Sequence, residues 1–402
     1  MRKDATVIGL ISFAHGMSHF YQLLLAPLFP FIKEDLGVSY AALGFLVAVF
    51  YTLSAVFQPL AGFVVDRYGA RGVLLGGIGF FVLGILILGT ATGYPMLVVG
   101  AALGGLGNSV FHPADFAILN ARVSPQRMGY AFSAHSVTGY VGYAIAPLFS
   151  VAIGAAYGWH APLLAGAALG IVVLGVLLLN TKYLLIEKHA PAAAKKTSFS
   201  KDASVLMTKP VVLCFAYFAV FAAGLTGLQS FGVSAMIEQH GVAATAASSA
   251  LTAYLVAAAG GILAGGFVAA RTVRHDRVAA AGMAVNALAV LVIAMNLVPG
   301  AALPAALALA GFASGIVAPS RDLIVRASTP PGAAGRVFGF VYSGLDVGSL
   351  ATPVFYGWML DHHLPQGVFY TVAAFTGLAM LTVLALPGRS VLVRDLAAVK
   401  KA

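Results

Sequence analysis

The chain has 402 residues, 60% of them hydrophobic and only 9% formally charged, with a mean hydropathy of +0.94. A soluble domain carries roughly 25% charged residues, so the main solvent of this chain is lipid and a separate aqueous domain is excluded. The net charge of +10 does not point to nucleic acid, because the basic residues fall in short hydrophilic connections and not along one face.

A bilayer-spanning helix needs about 20 mainly apolar residues. Runs of that kind are predicted at 7–32, 41–64, 73–92, 95–121, 128–155 and 160–181, then at 210–237, 245–270, 278–298, 302–327, 334–360 and 366–387. The first run is longer than a signal-peptide core and no small-residue cleavage site follows it, so it reads as span 1. Between the two sets of six lies 182–209, with six lysines and the run Pro191-Ala-Ala-Ala-Lys-Lys-Thr-Ser, which reads as a hydrophilic linker. The 46 glycines suit close helix packing in lipid. Cys214 is the single cysteine; it sits in an apolar run and reads as a packing residue.

With the N-terminus placed in the cytoplasm, every Lys and Arg except Lys33 and Arg321 falls at a terminus, in an even-to-odd loop or in the linker. Basic flanks resist translocation, so both termini and the linker are expected to be cytoplasmic. The halves also resemble each other. His112-Pro113 and Ala318-Pro319 stand 206 positions apart, and Gly129 with Gly335, Gly142 with Gly348 and Pro147 with Pro353 keep that offset. The expected fold is an all-α membrane protein of 12 transmembrane helices in two pseudo-symmetric six-helix bundles, 1–181 and 210–388, with a tail at 389–402.

After span 2 comes Gly62-Phe-Val-Val-Asp66-Arg67-Tyr-Gly69-Ala-Arg71. It resembles the G-x-x-x-D-R-x-G-x-R loop signature of the major facilitator superfamily. Gly62 would let the helix end pack closely, Asp66 could cap a helix N-terminus or pair with a cation, and Arg67 and Arg71 would stay in the headgroup layer. Such a cluster could latch the halves in one state, or the arginines could be topogenic charges alone. The corresponding loop from Gly266 to Arg277 lacks the aspartate.

Intramembrane ionisable residues are costly and default to functional hypotheses. The candidates are Asp115, Asp322, Asp346, Arg321, His15, His19, His112 and His135. The superfamily resemblance implies that spans 1, 4, 7 and 10 line a central cavity. His15 and His19 are four apart, hence on one helix face, and Tyr21 and Gln22 add hydrogen-bonding groups to the same span. By the repeat offset Asp115 aligns with Arg321, which suggests a salt bridge between the halves; alternatively Arg321 pairs locally with Asp322 or snorkels. Asp346, with no base nearby in sequence, reads as a proton carrier or as a structural acid. Histidine titrates near neutrality, which makes the four histidines further proton candidates.

Gly107-Asn-Ser-Val-Phe-His112-Pro113-Ala-Asp115 is similar to the G-S-S-V-F-H-P-E segment of fosmidomycin-resistance-type efflux proteins, and Gln58-Pro59-Leu-Ala-Gly62 to the Q-P-x-x-G of that group. The family glutamate is Ala114 here, with the carboxylate one residue later at Asp115, about 100° around the helix. The G-x-x-x-G-P element of drug antiporters is only partly matched by Gly139, Gly142 and Pro147. The resemblance implies a small anionic or amphiphilic substrate. The reading is therefore a secondary transporter in a bacterial inner membrane: a proton-coupled exporter (an antiporter of the drug-resistance type), or alternatively a proton-coupled importer of an organic acid or other nutrient. A proton gradient is the expected energy source, with no cofactor, no metal site in the sequence spacing, no ATP-binding loop and no catalytic constellation. A monomer is expected.

Overall fold

In the computed structural model, residues 2–186, 206–330 and 334–385 are described, and they form helices and short connections. The tail at 389–402 and most of the linker lie outside them. Eleven helices among the described residues are long and apolar enough to cross a membrane. The remaining crossing is span 1, which is less apolar because it carries both histidines, and it is interrupted: Arg2–Gln22 gives way to a short turn at Ala26–Leu28 before Phe29–Leu36. Leu23, Leu24 and Leu28 in that interruption are buried. That is the condition under which irregular backbone is tolerated at membrane depth.

The other crossings follow the predicted spans closely: Tyr40–Tyr68, Ala70–Gly89, Tyr94–Arg122, Pro125–Tyr157 and His160–Leu179, then Lys209–His240, Ala244–Arg271, His275–Ala294, Gly300–Ala327, Val337–Asp361 and Pro365–Leu384. Two of them are broken at proline. Span 4 stops at Asn108 and resumes at Phe111, because Pro113 has no N–H for the carbonyl of Ser109 and its ring crowds that position. Span 11 breaks at Thr352, with Pro353 opening the next segment. The repeat partners Pro319 and Pro147 sit inside unbroken helices, so the halves share their register but not their kinks.

Packing is pseudo-symmetric. Span 1 packs on span 5 and span 7 on span 11; span 2 on span 4 and span 8 on span 10; spans 3 and 6, like spans 9 and 12, pair with each other. A Cβ on Gly142 would collide with the carbonyl of Gly16, and one on Gly348 with that of Ala219. The glycines matched by the repeat offset therefore make the same close approach in each bundle, as small residues do in membrane interfaces.

The bundles touch through spans 2 and 11 and spans 5 and 8, and mainly at one end. There Lys33 Nζ lies 3.2 Å from Asp361 Oδ1, and the Asp361 carboxylate accepts the backbone N–H groups of Tyr40 and Ala41, each at 2.8 Å. Thr252 Oγ1 donates to the carbonyl of Ala144 at 3.1 Å, and Phe29 meets Phe231. Lys33, an exception to the charge pattern in the sequence, thus has a partner across the molecule. At the opposite end Val56, Phe57, Leu60, Phe63 and Val64 of span 2 are exposed. The helices form a V, closed at the Lys33 end and open at the end that carries the 62–71 loop.

Candidate functional site

The break in span 4 sets His112 and Asp115 into the first bundle against spans 1 and 5. Asp115 is fully buried. Its Oδ2 lies 3.1 Å from Nε2 of His135 and 3.4 Å from Nδ1 of His15. Either His135 Nε2 donates to an ionised carboxylate or a protonated carboxyl donates to it, so one proton is shared along this contact. Asp115 Oδ1 has no partner, and neither has Nδ1 of His19. The rings of His15 and His135 stack at 3.5 Å, His19 meets His15 edge-on at 4.5 Å, and His112 stands 5.3 Å from His15. Gly139 makes room for this arrangement, since a Cβ there would lie 3.1–3.2 Å from the rings of His15 and His19.

A polar chain leads out of the cluster. His19 rests edge-on against Tyr143 at 4.3 Å. Tyr143 donates to Gln22 Oε1 at 2.6 Å, Gln22 Nε2 donates to Asn108 Oδ1 at 2.9 Å, and Asn108 Nδ2 donates to Ser54 Oγ at 2.7 Å. Tyr51, one turn before Ser54, lies within electrostatic reach of Asp346 in the other bundle.

Spacing in the sequence showed no metal site. The fold brings one ring nitrogen from each of His15, His112 and His135 within 4.8 Å of the others, a set of imidazoles that suits a divalent transition ion. Of these rings, His135 is hydrogen-bonded to Asp115, while Nδ1 of His15 has no hydrogen-bond partner.

The expected bridge between Asp115 and Arg321 is not formed. Arg321 Nε donates to Asp322 Oδ1 at 3.0 Å, and that oxygen also accepts from Tyr342 at 2.9 Å. The guanidinium lies 4.5 Å from the Phe218 ring centre. The local pairing left open by the sequence is the one adopted, because equivalent positions in two repeats need not face each other and Asp115 turns into its own bundle. Tyr21 is a second correction. Its hydroxyl donates to the carbonyl of Gly166 at 2.9 Å, on the far side of span 1 from the histidines, since two residues turn a helix by about 200°. It stands apart from the histidines and, with Gln22 and Tyr51, lines a second cavity, while Gln22 also joins the polar chain.

The loop after span 2 also departs from expectation. Nothing would meet a Cβ on Gly62; Asp66 and Arg67 are exposed, and no hydrogen bond or ion pair of Asp66 is found among the described residues. Gly69 has φ +93° and turns span 2 into span 3 where other residues would be strained. Arg71 lies in the first turn of span 3, and no contact of Asp66 that would latch the halves is found among the described residues.

Between the bundles, toward the open end, is a cavity of about 430 Å³ counting its mouth. Tyr140 comes from span 5, Tyr217 and Gln229 from span 7, Tyr254 from span 8, and Ser314 and Arg321 from span 10. Tyr217 is 2% exposed, and its hydroxyl has no hydrogen-bond partner. Sequence reasoning missed these tyrosines and Gln229, as well as Asn108 and Tyr143, because neutral polar side chains are cheap in a membrane and leave no mark in the hydropathy.

The chain matches the family model of the Major Facilitator Superfamily over residues 9–234 and 219–400. It belongs to that superfamily. Members are in general carriers, and the protein is a multi-pass membrane transporter. It is 26% identical over 271 residues to the fosmidomycin resistance protein of Escherichia coli K12, covering 66% of this chain and 65% of that one, just under two thirds. It is 23% identical over 369 residues to the multidrug resistance protein MdtG of Proteus mirabilis, covering 87% and 88%. Among solved structures, a bacterial homologue of the lysosomal transporter Spinster superposes with a TM-score of 0.75 at 19% identity, covering 95% of this chain and 98% of that one. The nucleoside transporter NupG superposes at 0.78 and 14%, covering 94% and 99%. These two show the superfamily fold.

Proposed function

We propose that the protein is a proton-coupled exporter of a small anionic or drug-like compound in a bacterial inner membrane, working by alternating access. The observation that carries this reading is Asp115, fully buried and within 3.4 Å of ring nitrogens of two histidines, in the bundle whose span 5 also lends Tyr140 to the cavity. An acid and imidazoles in contact can take up and release a proton with small movements. The basic-residue pattern assigns the open end to the cytoplasm, so the cavity loads from inside the cell, and the resistance-protein relatives fit efflux.

The second reading is a proton-coupled importer, favoured by the incomplete drug-antiporter element around Gly139, Gly142 and Pro147. Direction-resolved flux separates the two. Energised inverted vesicles, acidic inside, should accumulate a phosphonate such as fosmidomycin and lose that accumulation with a protonophore. Accumulation confined to right-side-out vesicles that are acidic outside, where protons and substrate enter together, supports import and overturns export.

A further inference from the structure

The cavity between the bundles carries more chemical information than the transport reading uses. Arg321 is the single formal charge among its lining residues. Its counter-ion Asp322 takes Nε and accepts from Tyr342, whose hydroxyl also interacts with the guanidinium. A guanidinium edge grips a planar or tetrahedral oxyanion through two parallel N–H groups.

Tyr217 is the second observation. Its buried hydroxyl has no partner and interacts electrostatically with Arg321 and Tyr140. An unsatisfied buried hydroxyl costs free energy unless a ligand supplies its partner. Phe221, Leu225 and Met283 give the cavity apolar surface beside the polar groups of Gln229, Tyr254 and Ser314.

We infer that Arg321, Tyr217 and Tyr140 form the binding site for a small organic monoanion whose carboxylate or phosphonate head lies on the guanidinium while its apolar body packs against span 7. This rests on the transporter reading but not on proton coupling. Tyr140 shares span 5 with His135, Gly139 and Tyr143, so one helix would feel the anion on the cavity side and the proton cluster on the other. No acid is found among the described lining residues, the nearest being Asp322, already paired with Arg321, so the site would discriminate by charge.

The test is equilibrium binding to the full-length purified protein in nanodiscs, with no gradient. The probes are phenylphosphonate, benzoate, benzyl alcohol, benzylamine and inorganic phosphate. Phenylphosphonate and benzoate should bind, phosphate more weakly for want of an apolar body, and benzylamine not at all. Tyr217→Phe should weaken benzoate binding by about 10- to 100-fold, the range for a hydrogen bond to a charged group, whereas Tyr21→Phe should leave it unchanged. Because Arg321→Gln alone strands Asp322, the double variant Arg321→Gln/Asp322→Asn is the cleaner loss of charge, and it should abolish discrimination between benzoate and benzyl alcohol. Benzylamine binding as well as benzoate, no anion binding at millimolar concentration, or a Tyr217→Phe variant indistinguishable from wild type overturns the inference. Anion binding without proton movement in vesicles leaves the site standing and removes the coupling.

Discussion

Lys33 and Asp361 meet at 3.2 Å across the two bundles, and the same carboxylate caps the first turn of span 2 through the N–H groups of Tyr40 and Ala41. One side chain from the second bundle therefore satisfies donors that the first bundle cannot satisfy at that helix end. In the proposed alternating-access cycle this clasp would have to open.

Asp361→Ala is expected to lower stability by about 1–3 kcal/mol, the range for charged hydrogen bonds left unmade, and to shift the population toward the state open at this end. The shift is read with a membrane-impermeant maleimide on Ser234→Cys, a fully buried position on span 7. Labelling from the Lys33 side should rise when Asp361 is removed, and equal labelling in both backgrounds would mean that the clasp does not gate.

Gly139 and Gly142 lie three residues apart on span 5, yet substitution should separate their roles. Gly142→Ala drives a Cβ into the Gly16 backbone and should cost about 1–3 kcal/mol as overpacking does, visible as a lower melting temperature. Gly139→Ala presses on the flexible rings of His15 and His19. It should reduce proton-coupled transport with little loss of stability.

Tyr143→Phe removes the hydroxyl that donates to Gln22 but keeps the ring against His19. Transport should fall by roughly tenfold, in keeping with the loss of about 1–1.5 kcal/mol for one hydrogen bond, while binding of benzoate without a gradient stays the same. A parallel loss of binding would place Tyr143 in the substrate site instead.

Asp66→Asn should change stability by no more than about 0.5 kcal/mol, as is typical of surface changes, because Asp66 is exposed. Its effect belongs to the state with the loop end closed, so turnover should slow while stability holds. A large loss of stability would mean that the latch is engaged here.

The spans were legible because the bilayer imposes a length and an apolar composition on each crossing, so predicted and observed limits agree to within a few residues. Breaks were harder to read. Pro113 interrupts span 4, whereas Pro59, Pro147 and Pro319 sit within continuous helices, and which prolines break depends on the neighbours that can satisfy the freed carbonyl. The histidines and Asp115 stood out as costly residues, but their partners did not. Repeat symmetry matched Asp115 with Arg321 in position, and the kinked backbone matched it with His15 and His135 in contact. Tyr217 and Tyr140 were silent because a tyrosine in a membrane span is unremarkable until its hydroxyl is seen without a partner.

The most direct test of proton coupling through Asp115 is substrate-triggered proton movement in proteoliposomes containing an internal pH dye, comparing wild type with Asp115→Asn and His112→Ala. Coupled export predicts that an anionic substrate drives counter-movement of protons in wild type and that both variants lose it. Proton movement retained in Asp115→Asn would contradict the assignment of the buried carboxylate as the coupling group.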